Sequence, residues 1–134
     1  MSRLIIFMCV SICGLVMQSL PAQDLERSVN DIGQALLKGD SKALAVMFME
    51  TIELDISSHK GKFSRNQAQM ILRDWFLVNE PLSYELRQEG KTGNSVFLIG
   101  FLNCKTETFR VYIMFDGQSK QTAIHYLSLT KNER

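Results

Sequence analysis

The sequence contains few of the residues that crosslink small exported domains or bind metals. It has three cysteines and two histidines in 134 residues. Cys9 and Cys13 lie near the N-terminus and only Cys104 lies beyond them, so no disulfide can form within residues 14–134. Zinc needs three or four clustered ligands, whereas His59 and His125 are far apart in the chain. We therefore expect no disulfide, no metal and a fold stabilised by its apolar core, with Cys104 buried.

Other signatures of function are also missing. The longest basic run is only Lys60-Gly61-Lys62, whereas nucleic-acid binding requires a basic face. No glycine-rich phosphate loop is present, and no serine or cysteine lies in a glycine-flanked turn of the hydrolase type. We expect no nucleic-acid partner and no cofactor, and nothing here indicates catalysis.

The first 22 residues have the pattern of a cleaved secretory signal peptide. Arg3 is the only charged residue before Asp24, an apolar stretch covers residues 4–17, and small and polar residues follow up to Ala22. A positive start, an apolar middle and a small residue at the cut define such a signal. We expect cleavage after Ala22 and a mature protein of zero net charge.

Two other interpretations of this segment stay open. A membrane anchor needs about 20 apolar residues, and the stretch has 14. A lipoprotein would carry its lipid on Cys13, but the bulky Ile12 before it argues against attachment. The expectation is an exported bacterial protein, periplasmic or secreted, in which residues 23–134 form a single domain without a membrane span.

Hydrophobic periodicity predicts three helices in the mature chain. The first is capped by Asp24 and ends at Gly39, with apolar residues every three or four positions. Asp40 starts a short second helix that extends to Phe48. A capping box at residues 64–67 opens a third helix, whose apolar face is formed by Ala68, Ile71, Leu72, Trp75 and Phe76.

Alternation of apolar and polar residues predicts five strands, with polar turns at residues 57–62 and 90–94. The strands are expected at residues 51–56, 82–87, 95–104, 108–115 and 122–130. The order of elements is then α-α-β-α-β-β-β-β. Strands joined by short turns pair as an antiparallel sheet with the helices on one side, which makes this an α+β domain.

Three segments resemble a known family: the helical corner at residues 37–44, the start of the third helix at residues 63–68, and the strand at residues 108–113. They are similar to the bacterial secreted family described as domain of unknown function 4783. The order of elements resembles the nuclear-transport-factor-2-like (NTF2-like, cystatin-like) fold, a cone of helices wrapped by a curved sheet. The resemblance implies a fold and export, and it implies no assigned activity.

Pairing two central strands across the turn near Lys105 and Thr106 gives the sheet two apolar faces. The face expected to pack on the helices carries Phe97, Ile99, Phe101, Phe109, Val111, Ile113 and Phe115. The other carries Val96, Leu98, Gly100, Leu102, Arg110, Tyr112 and Met114. We expect the second face either to line a ligand cavity or to form a dimer contact; partial exposure is the third interpretation.

Five residues are candidates for a site. Arg110 can hold a carboxylate through its planar guanidinium, although an ion pair or a snorkelling side chain also accounts for it; Tyr112 shares its face. Trp75 belongs to the core, or lines a cavity as well. His125, expected on the side of the last strand that carries two leucines, can act as a general base. Asp74 on the third helix is the carboxylate that would orient it, although its position before the inward-pointing Trp75 predicts that it faces solvent or the helix edge. The resemblance makes such a pair worth naming, since isomerases and dehydratases of this fold use acidic residues and histidines inside the cone.

The leading hypothesis is a non-enzymatic exported binding module. It would hold a small apolar or carboxylate-bearing ligand, or a protein partner, at the sheet face. An isomerase- or dehydratase-type enzyme that uses His125 and Asp74 is the first alternative. A structural homodimer or envelope accessory protein, paired through the sheet face, is the second.

Overall fold

A computed structural model describes residues 21–133 as three helices and six strands. The elements are α1 (Pro21–Lys38), α2 (Ser41–Val46), β1 (Phe48–Ile56), β2 (His59–Ser64), α3 (Arg65–Val78), β3 (Pro81–Thr92), β4 (Ser95–Cys104), β5 (Thr108–Asp116) and β6 (Ile124–Lys131). Residues 1–20 of the expected signal peptide lie outside the described residues. Its cleavage after Ala22 therefore stays a prediction. Within residues 21–133, no helix combines the length and the hydropathy needed to cross a membrane.

Local capping signals place the helices largely as predicted. Gly39 has a φ of 62°, and the N–H groups of Gly39 and Asp40 donate to the carbonyls of Leu36 and Ala35 at 3.1 and 2.9 Å, the bonding pattern of a Schellman end. Asp40 caps α2 through its side chain. The capping box that opens α3 is also present. These contacts lie within a few residues in sequence, which is why sequence patterns find them.

Two helix boundaries differ from expectation. α1 begins at Pro21, so Asp24 lies in its first turn and does not cap it. α2 ends at Val46, and Phe48 opens β1 although its side chain is buried as expected. Burial of an apolar side chain does not by itself distinguish a helix end from a strand start.

Both expected polar turns are largely strand. The chain reverses over only Ser57 and Ser58, because Ile56 pairs with His59 and β2 follows at once; Ser57 has a φ of 50°. The second turn is reduced to Gly93 and Asn94. β2 and β3 are the two edges of the sheet, where polar residues are tolerated, so apolar alternation misses β2 and predicts only the first part of β3.

The sheet is curved and mostly antiparallel, in the order β2-β1-β6-β5-β4-β3. The exception is β1, which pairs with β6 in parallel, so the expectation of a purely antiparallel sheet is wrong at this point. α1 packs on β3 and β4, and α3 packs on β1 and β2. Within residues 21–133, the helices thus cover one face, called the inner face below, and supply no layer on the outer face.

The expected facing of β4 is wrong by one residue. A two-residue turn at Lys105 and Thr106 lets the N–H of Cys104 donate to the carbonyl of Glu107 at 2.9 Å. This turn pairs Val96 with Phe115, so the buried side chains of β4 are Val96, Leu98, Leu102 and Cys104. A one-residue slip moves every side chain of a strand to the opposite face. Phe97, Ile99 and Phe101 therefore lie on the outer face, whereas β5 faces as expected.

The ring of Tyr84 makes a close contact between a helix and the sheet. It lies between two glycines, one on α1 and one on β4. A Cβ on Gly33 would lie 3.1 Å from the ring, and a Cβ on Gly100 would lie 3.0 Å from the ring and 2.7 Å from the carbonyl oxygen of Glu85. Arg87 is an extra residue in β3 opposite this point, where the pairing register shifts. Such bulges bend and twist a sheet.

The other side of the cone is held by α3. Arg65 donates from Nε and Nη2 to the carbonyl oxygen of Phe48 at 3.1 and 2.9 Å, which ties the start of α3 to the start of β1. Trp75 is 7% exposed and contacts the rings of Phe76 and Phe109 edge-to-face, with centroids 5.3 and 4.8 Å away. The interpretation of Trp75 as a core residue agrees with this packing.

Gly100→Ala tests the close approach. The added methyl group meets backbone at Glu85, which cannot rotate away, so we expect a loss of about 1–3 kcal/mol in the free energy of unfolding. Urea denaturation measures it. Gln88→Ala, at an exposed position of the neighbouring strand, is the control and should change stability little. Equal stability of the two variants would contradict the account of the bend.

Tyr84→Phe tests what the buried Tyr84 hydroxyl costs in the free energy of unfolding. The Tyr84 hydroxyl is buried without a hydrogen-bond partner among the described residues, and burial raises its pKa to about 12 from 10.0. The unfolded chain therefore loses this proton first, and the wild type loses stability as pH rises from about 10 to about 12. The variant should lack this loss and be at least as stable at neutral pH.

Denaturant midpoints at neutral and alkaline pH measure both effects. Burial also raises the pKa of Cys104 to about 11 from 9.0, and this thiol contributes with the same sign in both proteins, so the difference between them isolates Tyr84. If the stability of both proteins fell equally at alkaline pH, titration of the Tyr84 phenol would not be the cause. A variant that is clearly less stable than the wild type at neutral pH would also contradict this account.

Candidate functional site

The outer face of the sheet carries a cluster of apolar side chains on its three central strands. They are half-buried although no helix covers them. This set is called the aromatic face and consists of Phe97, Ile99, Phe101, Tyr112, Met114 and Tyr126. Continuous apolar positions on both faces of a strand are typical of sheets with a layer on each side.

The rings of the aromatic face hold one another in place. Phe97 stacks on Tyr112, with centroids 6.3 Å apart and planes 12° apart. Tyr112 meets Tyr126 edge-to-face at 5.7 Å and 78°. Gly90 on β3 makes room for the first ring, because a Cβ there would overlap Phe97. The face is therefore ordered before any partner binds, which lowers the entropy lost on association.

Arg110 projects from this face and is exposed. It lies between Phe101 and Thr130 in the strand register and forms no ion pair within residues 21–133. The expected alternative of a neighbouring glutamate is therefore not found in the described part. Arg87, by contrast, lies 5.3 Å from the Phe101 ring centroid and 3.2 Å from Glu85.

Carboxylates flank the aromatic face on its other side. Glu53 and Asp55 of β1 are in register with Tyr126 and Ser128 of β6 and so share the outer face. Neither carboxylate forms an ion pair with any described residue. The outer face thus has an apolar centre, an arginine within it, and acidic groups at both margins, counting Glu85 on β3.

The structure does not bring His125 and Asp74 together. His125 is an extra residue between the pairs that β6 makes with β5, and its Nε2 lies 3.2 Å from the hydroxyl of Ser95. The expectation that it shares a side with the buried residues Leu127 and Leu129 is wrong, because the bulge turns it toward the outer face. Asp74 lies on the exposed side of α3 and pairs with Arg73 at 3.3 Å.

The inner layer of the cone is apolar. Its buried residues are hydrophobic; Ser128 is also buried, but it pairs with Tyr112 and so lies on the outer face. Cys104 is buried as expected, and its raised pKa keeps the thiol protonated and unreactive near neutral pH. No group of three or more potential metal ligands occurs within residues 21–133.

Sequence reasoning placed Arg110 and Tyr112 on the outer face but missed four of their neighbours. Phe97, Ile99 and Phe101 were assigned to the inner face, and Tyr126 was not considered. A signal was available: Ser95 and Asn103, the polar residues near the ends of β4, alternate in step with these three apolar residues.

Comparison with known proteins agrees with this fold. The model of the family described as "Domain of unknown function (DUF4783)" matches residues 29–130. Among curated protein sequences, none matches this chain significantly.

Solved structures are also similar. A DUF4783 family protein from Bacteroides fragilis is 25% identical, covers 76% of this chain and 96% of its own, and has a TM-score of 0.70. One from Bacteroides uniformis is 22% identical over 78% and 97%, with a TM-score of 0.72. An NTF2-like protein of unknown function from Burkholderia xenovorans is 12% identical over 85% and 88%, with a TM-score of 0.62.

Proposed function

This chain belongs to the DUF4783 family and has an NTF2-like fold, and on that basis we propose a non-enzymatic binding protein that works outside the cytoplasm. Its binding surface is the aromatic face, and the occupant is a protein surface, in the first place a second copy of the chain. The observation that supports this proposal is an ordered, half-exposed aromatic cluster on a sheet face without a second layer.

The composition of the aromatic face is that of a protein interface. Aromatic residues, methionine and arginine are enriched at the centres of interfaces, whereas charged residues other than arginine are depleted there and form the rim. Here Phe101 and Tyr112 lie next to Arg110, Met114 lies further along β5, and the carboxylates lie at the margins. Large, preordered rings with an arginine among them are also the usual hot spots of binding energy.

Charge favours a second copy as the occupant. A two-fold interface places the same surface on both sides, so it must be complementary to itself. Arg110 has no carboxylate partner within its own described chain, while Glu53 and Asp55 lack a cation at one margin. Two copies face to face can therefore exchange arginine–carboxylate pairs around an apolar centre.

The two rival functions have less support. An open sheet face lacks the walls that bury a small ligand, so a protein surface fits the aromatic face better than a free apolar or carboxylate ligand. An isomerase or dehydratase would need an acid–base pair inside the cone, but His125 lies against Ser95 and Asp74 lies on the exposed side of α3.

Arg110→Glu tests the proposed surface. The wild-type protein should show a concentration-dependent dimer in sedimentation equilibrium across the micromolar range. Charge reversal at this exposed position leaves the fold intact and should weaken dimerisation by about tenfold or more, or about 1.4 kcal/mol. The control is Lys42→Glu, an equal charge change on α2, which should leave the equilibrium unchanged.

The combination of Arg110→Glu with Glu85→Arg should recover part of the loss if the two residues pair across the interface. A wild-type protein that stays monomeric throughout would overturn the second copy as occupant. Equal behaviour of Arg110→Glu and Lys42→Glu would place any dimer contact elsewhere.

Export is tested by the N-terminus of the protein made in a bacterial host. Expressed from Met1, the chain should appear in the periplasm or medium with Gln23 as its first residue, since cleavage after Ala22 fits the signal pattern. N-terminal sequencing and intact mass measure this. An uncleaved chain in the membrane would establish an anchor, and a lipid-modified mass that disappears in Cys13→Ser would establish a lipoprotein.

A further inference from the structure

A cleft of about 210 Å³ lies between the β1–β2 turn and one side of α3, away from the aromatic face. Its apolar lining is formed by Ile56, Met70, Ile71 and Trp75. Ile56 and Trp75 are buried core residues, whereas the side chain of Met70 is half exposed. The volume is below the range of drug-sized sites and suits one ring or a short chain with a polar head.

The rim of the cleft is polar and carries one formal charge. On the side of the β1–β2 turn, the rim is formed by Ser57, Ser58 and His59. On the side of α3, it is formed by the carboxylate of Asp74. Among the described residues that line the cleft, Asp74 is acidic and none is a lysine or an arginine. The rim therefore carries a negative charge.

The existing partner of Asp74 does not block this role. Arg73 lies 3.3 Å from it, but both side chains are more than half exposed. Exposed pairs of this kind contribute little and exchange readily. An incoming amine also buries its apolar part against the lining of the cleft, a contribution that Arg73 does not make and that favours the ligand in this competition.

We propose that this cleft binds a small organic cation, namely a free amine or guanidine with one ring or a short aliphatic chain. The apolar part lies against Ile56 and Trp75, and the charged head lies at Asp74. The Asp74 carboxylate at the rim supplies the charge complementarity, and the apolar lining supplies the contact for the ring or chain. This site is independent of dimerisation at the aromatic face.

Trp75 is the only tryptophan of the sequence and lines this cleft, so a saturable change in its fluorescence measures binding there. The probes are benzylamine, benzyl alcohol and benzoate, which share one ring and differ in charge. Titrated into the full mature protein, benzylamine should give a saturable change and bind at least about tenfold more tightly than benzyl alcohol. Benzoate should give no saturable change.

Opposite changes at neighbouring positions sharpen the test. Asp74→Asn should abolish the preference for benzylamine over benzyl alcohol, and Arg73→Gln should strengthen benzylamine binding because the carboxylate loses its competitor. Both positions are exposed, so the fold is retained. Glu80→Gln, at an exposed carboxylate just beyond α3, is the matched control and should behave as the wild type.

Three results would overturn the proposal: no saturable change with any probe, equal binding of the three probes, or an undiminished benzylamine preference in Asp74→Asn. Arg110→Glu should leave benzylamine binding unchanged. Loss of dimer with retained amine binding, or the reverse, would therefore separate failure of the proposed function from failure of this site.

Discussion

The seating of Tyr84 between Gly33 and Gly100 is the contact on which the rest of the cone depends. It brings α1 onto the sheet at the point where an extra residue in β3 bends it. A Cβ at either glycine would press on the ring, so the sequence gives up side-chain packing there to gain curvature. The contact also leaves a phenol hydroxyl buried without a described partner. The cost of this unsatisfied hydroxyl is offset because the curvature of the sheet lets three helices cover one face of it.

The described helices cover the inner face of the sheet and leave the apolar side chains of its outer face only partly buried. β4 and β5 are apolar on both sides, as strands of a three-layered protein would be, yet the described chain supplies a layer only on the inner side. Folding alone does not require Phe97, Tyr112 and Tyr126 to be large and aromatic, because a polar outer face would serve the monomer equally well. The proposed protein contact at the outer face accounts for their size and mutual stacking.

How much the sequence predicts depends on the range of the interactions involved. The Gly39–Asp40 corner and the capping box of α3 are local, and both were placed correctly. The edge strand β2, the second part of β3, the parallel β1–β6 pair and the facing of β4 depend on long-range pairing, and the sequence patterns do not predict them correctly. β4 was the hardest, since its apolar residues fit either face, and only its polar ends indicate the correct one.

The candidate sites follow the same rule. Trp75, Arg110 and Tyr112 were placed correctly because helix and strand periodicity fixes their direction. His125 was not, because a bulge is set by pairing across strands and leaves no mark in the alternation. His59 carried no signal while its segment was expected to be a turn. Once β2 folds back on β1, the same residue borders a cleft with Asp74, 15 positions away in the sequence. In this cleft and on the aromatic face, strand pairing brings together the polar and aromatic side chains that form the candidate sites. The register of the sheet therefore determines the sites as well as the fold.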